Sequence, residues 1–79
     1  MKKLTFEHDG RPLEVRMVPD AGAFICYVWE GAKKVSSVPY VVSQTQVSEA
    51  ADRGELDQVL DAALAEVRDT VMSGHLLVT

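Results

Sequence analysis

The sequence predicts an α+β domain: a four-stranded antiparallel β-meander packed on one face by a C-terminal amphipathic helix, with a short extra helix before it. Three observations carry that prediction. Turn dipeptides punctuate a first half in which apolar and polar residues alternate. A stripe of apolar residues at helical spacing fills the second half. The strand signals all precede the helix signals, the order expected of an α+β domain.

The first strand is Lys3 to His8, with Leu4 and Phe6 on one face. Asp9-Gly10 follows, a pair suited to a type I′ turn, in which both central residues take positive φ. That turn pairs His8 with Arg11, Phe6 with Leu13 and Leu4 with Val15, so apolar meets apolar. Pro12 then falls in a non-hydrogen-bonded pair with Glu7, where its missing donor does no harm.

Leu13, Val15 and Met17 continue the apolar face of strand two, and Pro19-Asp20-Ala21-Gly22 reads as a four-residue turn. Strand three, Ala23 to Glu30, is apolar on both faces, as a central strand would be. Gly31-Ala32 fits a type II′ turn and sets Glu30 opposite Lys33, where strand four begins. Pro39 falls at a hydrogen-bonded ladder position, so the pairing is expected to stop or bulge there and to resume, bent, over Tyr40 to Val42.

Ser43 and Gln46 form a capping-box pair at the start of a short helix, which Gly54 ends. Leu56, Val59, Leu60, Ala63, Leu64, Val67 and Val71 make the stripe of the main helix, from Glu55 to Met72. Ser73-Gly74 closes it, and an apolar tail, His75 to Thr79, follows. The whole reads as one domain over 1–79, with the meander in 1–43, the helical segment in 44–74 and the tail in 75–79.

Composition limits the function classes. The chain is 47% hydrophobic and 25% charged, which is ordinary for a folded domain. A chain of 79 residues has a small stability margin. Its single cysteine, Cys26, allows no internal disulfide, so association is a natural way to gain burial. No apolar run has the length of a membrane span, and the basic start Met1-Lys2-Lys3 is followed by alternating, charged residues. A cytoplasmic setting is expected. The net charge of −4 divides into +1 over residues 1–43 and −5 over residues 44–79. An acidic helical half argues against that half meeting phosphates.

Candidate chemistry is sparse. Cys26 falls on the core face and reads as a structural thiol. His8 and His75 lack a second ligand at metal spacing. Asp57 and Asp61 share a helix flank, which reads as a solvated acidic face. Ser73-Gly74-His75 reads as a helix stop. No catalytic, cofactor or metal site can be assembled, and no motif ties the chain to a known family.

Stacking the hairpin registers separates two faces. Face one holds Leu4, Phe6, Leu13, Val15, Met17, Phe24, Cys26, Val28 and Val35, and the main helix should lie on it. Face two holds Lys3, Thr5, Glu7, Glu14, Arg16, Ile25, Tyr27, Trp29, Lys34, Ser36, Val38 and Tyr40. Here Ile25, Tyr27, Trp29 and Val38 adjoin one another, and one main helix cannot cover both faces. Three readings stand. The short helix, the tail or the bend at Tyr40 covers the cluster as a second core. A second copy of the chain or another protein covers it, with Ile25, Tyr27, Trp29, Lys34, Val38, Tyr40 and Arg16 as the contact set. The last reading is nucleic acid, stacked on the aromatics beside Arg16, Lys34 and Lys3.

Overall fold

A computed structural model describes residues 2–36 and 40–79. It has the predicted α+β architecture: β1 (Lys3–His8), β2 (Arg11–Asp20), β3 (Ala23–Glu30), β4 (Lys33–Lys34), β5 (Tyr40–Val42), α1 (Gln44–Asp52) and α2 (Leu56–Met72). The sheet runs β1-β2-β3-β4, and β5 also pairs with β3. All the strand pairings are antiparallel.

The first hairpin has the expected register, with Phe6 opposite Leu13 and Leu4 opposite Val15. Asp9 and Gly10 take φ of 53° and 74°, as a type I′ turn requires. The second hairpin is tighter than predicted. Asp20 pairs with Ala23, leaving only Ala21 and Gly22 in the turn, at φ of 51° and 85°. The gain is two more paired residues on β2, Pro19 and Asp20. Pro19 tolerates this because it sits in a non-hydrogen-bonded pair with Phe24, so its nitrogen points away from β3. The register moves by an even step from the four-residue turn, so Met17 and Cys26 stay on face one.

The last pairings depart further. Lys34 is opposite Trp29, yet Tyr40 is opposite Cys26. Six residues separate Lys34 from Tyr40 in sequence, against three between their partners Trp29 and Cys26. The odd excess turns the chain over, so Tyr40 and Val42 join face one and Val41 joins face two. Pairing resumes over Tyr40 to Val42 as expected, but the face assigned to Tyr40 does not hold, and the stop or bulge expected at Pro39 falls outside the described residues. Val38 and Pro39 lie outside the described residues.

The distortion begins at Val35. Its N–H still donates to the Val28 carbonyl at 2.9 Å, but the Val28 N–H donates to Ser36 Oγ at 2.9 Å. The Val35 carbonyl is left for the tail, and Thr79 N–H donates to it at 2.8 Å. Ser36 bridges Val78, and Leu76 and Val78 pack against the core. Ser36, expected on face two, is buried here.

Both helices contribute to face one. The Ser43–Gln46 capping box forms in both directions and starts α1. The α2 stripe of Leu60, Ala63, Leu64, Val67 and Val71 closes the core over Leu13, Val15, Met17, Cys26, Val28, Val35 and Val42. The two flanks of α2 are anchored to opposite sides of the sheet. Lys2 reaches Asp61 at 3.0 Å and Asp57 at 3.5 Å on the β1 side. On the β5 side, Tyr40 Oη donates to Glu66 Oε2 at 2.9 Å. No helix of the described residues is long and apolar enough to cross a membrane.

Candidate interaction surface

Face two is built in cross-strand rows. One row is Thr5, Glu14, Trp29 and Lys34. The next is Lys3, Arg16 and Tyr27. The third is Val18, Ile25 and Val41. The first two rows are laced by crossed diagonals, the second-nearest neighbours on a pleated face. The Arg16 guanidinium sits 4.8 Å from the Trp29 ring centroid, and Lys34 Nζ sits 4.3 Å from that of Tyr27.

Arg16 is heavily engaged. Its Nε donates to Glu14 Oε1 at 2.6 Å and its Nη2 donates to the Gly31 carbonyl at 2.7 Å. The hydrogen bond from Arg16 holds the Glu14 carboxyl below its ordinary range, and the Lys3 charge adds to the effect. Glu14 is therefore an anion fixed between two cations. Trp29 Nε1 is buried with no hydrogen-bond partner among the described residues. Packing and the stacked guanidinium, not a hydrogen bond, hold that indole in place.

The third row is different in kind. Val18 and Val41 are 41% and 49% exposed and flank the half-buried Ile25. Neither valine was in the predicted contact set. Val18 shares the alternation of Glu14 and Arg16, so extending strand two past Met17 would have found it. Val41 has no such signal, because the odd register excess that exposes it is not written in the alternation.

Of the predicted set, Arg16, Ile25, Tyr27, Trp29 and Lys34 come together on this face. Tyr40 does not. It lies half-buried against the face-one core, and its hydrogen bond to Glu66 pushes its hydroxyl pKa up. The position of Val38 is outside the described residues. The short helix, the tail or the bend at Tyr40 was expected to cover a second core; Val47, Leu76, Val78 and Tyr40 itself pack on face one, and residues 37–39 of the bend lie outside the described residues. Ile25, Tyr27 and Trp29 are half-buried and do not belong to the face-one core.

The remaining candidates are accounted for locally. Cys26 is buried, and burial pushes its thiol up to about 11. Asp57 and Asp61 share the Lys2 ammonium. Ser73 Oγ lies 2.9 Å from His75 Nδ1 and 3.1 Å from the Thr70 carbonyl, which ties the tail to the helix end. Among the described residues no group of three His, Cys, Asp or Glu side chains could hold a metal ion. Comparison with family models, curated proteins and solved structures finds no match to the chain.

Proposed function

We propose that the chain is a non-enzymatic interaction protein and that face two is its working surface, occupied by another protein chain: a second copy or an unlike partner. The observation that carries the reading is the row Val18–Ile25–Val41, exposed at its ends and continuous with Tyr27 and Trp29. An apolar row beside rigid aromatics, rimmed by charge, has the make-up of a protein contact. A cytoplasmic setting belongs to the same reading, since a lone buried thiol suits a reducing compartment.

Nucleic acid is the weaker reading. Arg16, the cation over the Trp29 ring, already satisfies Glu14 and the Gly31 carbonyl. The Trp29 ring carries that guanidinium where a base would stack. Glu14 and Glu7 put negative charge on the same face, and the protein carries −4 overall.

Sedimentation equilibrium of the wild type, Trp29→Glu and Val41→Asp tests the reading, with circular dichroism as the folding control. Both variants should keep their helix signal and associate less than the wild type. A wild type that is monomeric at millimolar concentration, with the emission of a fully buried indole, overturns it. Face two would then be closed by the chain itself.

A further inference from the structure

The outer edge of β1 is unpaired among the described residues. Its hydrogen-bonding parity is fixed by the hairpin. His8 and Arg11 flank a two-residue turn and form a hydrogen-bonded pair, so Phe6 and Leu4 also bond inward to β2. Lys3, Thr5 and Glu7 therefore direct their backbone N–H and C=O groups outward. Such a row is a template for another strand.

The geometry points to a second copy of this chain pairing antiparallel along that edge, across a two-fold axis at Thr5. In this register Thr5 meets the partner's Thr5, and Lys3 meets the partner's Glu7 on both sides of the axis. All these positions have outward backbone groups, so the ladder bonds are satisfied. On the other face Leu4 meets the partner's Phe6. Opposite charges and apolar groups thus coincide in one register. The neighbouring register centred on Phe6 sets Leu4 against the partner's His8 and Thr5 against its Glu7, and leaves Lys3 only the turn residue Asp9, which lies outside the strand.

The helix above supplies an independent complement. Asp57, Asp61 and Arg68 lie on one flank of α2 by helical spacing. Lys2 holds the acidic end of that flank on the β1 side, while Glu66 faces β5 on the other. A two-fold axis at Thr5 runs the two α2 helices antiparallel across the seam. Asp57 and Asp61 of one copy then lie toward Arg68 of the other. Helix α2 reaches β3 and β5 as well as β1 and β2, and its Lys2-held flank, with Asp57 and Asp61, is the one toward the seam. The joined sheet carries both copies of face two on one continuous surface.

This inference does not rest on the role assigned to face two, and the test keeps them apart. In a Val41→Asp background, which weakens contact through face two, the protein should still sediment as a dimer. Glu7→Lys and Lys3→Glu, each made in that background, replace both opposite-charge pairs with like-charge pairs. Each should raise the dissociation constant about tenfold. An equimolar mixture of the two restores complementary pairs and should recover the affinity of the Val41→Asp parent. Circular dichroism confirms that each variant is folded. A Val41→Asp protein that is monomeric at millimolar concentration overturns the inference, and so does a mixture no tighter than its components.

Discussion

The backbone N–H of Val28 donates to the side chain of Ser36, not to the carbonyl of its ladder partner Val35. One hydroxyl thus replaces a main-chain acceptor in the middle of a sheet. The freed Val35 carbonyl accepts from Thr79, and the Thr79 carbonyl accepts from Arg11 at 2.7 Å, which also bonds Glu30 at 2.8 Å. The end of the sheet is closed by this chain of substitutions.

Ser36→Ala removes the acceptor and leaves a buried N–H unmet. The cost should be about 1–3 kcal/mol, read from the denaturant midpoint. Amide exchange should accelerate at Val28 and Thr79 together. Unchanged protection at Thr79 would show that the tail is held without this bond.

Leu60→Ala opens a cavity under the middle of α2, where Leu60 is 5% exposed. A loss of about 2–5 kcal/mol is expected, which approaches the whole stability of so small a domain. An unmoved midpoint would contradict the docking of α2 on face one.

Ala21 adopts a left-handed φ of 51°. A side chain there costs about 1 kcal/mol relative to glycine. Ala21→Gly should therefore raise the melting temperature, although glycine usually weakens a fold. Gly10→Val, at φ of 74°, should lower it. Thermal scans of the two variants decide both signs.

Cys26 titrates near 11 in the folded chain, against an ordinary thiol value of 9.0. The folded state thus binds the thiol proton more tightly than the unfolded state does. The stability this contributes is fully present below pH 9.0 and is lost as pH rises toward 11. The loss should be on the order of 2 kcal/mol, and Cys26→Ala should lack it when the two proteins are compared over that range. At neutral pH the native thiol should resist a disulfide reagent that labels it readily in denaturant.

The sequence was informative wherever a local rule decided the structure. Asp9-Gly10 set a register that Phe6 and Leu13 then confirmed, and the α2 stripe named its own buried face. The five face-two residues from Arg16 to Lys34 followed from alternation together with the stacked hairpin registers. The second turn misled because Pro19 and Asp20 look like turn residues, yet Pro19 fits the strand at a position that needs no donor. Ser36, Tyr40 and Val41 could not be placed by alternation, because the acceptor exchange at Val35 and the register excess after it are tertiary. The short tail, too, acquires its strand character only from the carbonyl that Ser36 sets free.

The step between the Lys34 and Tyr40 pairings also makes chain length there a matter of odd and even. Deleting one residue between the two pairs would present Tyr40 and Val42 to water and press Val41 into the core. Deleting two would keep each side chain on its present side. Insertions and deletions in this segment should therefore be tolerated in twos and resisted singly. A length series read by thermal stability should alternate, and relatives of this chain that differ here should differ by an even count.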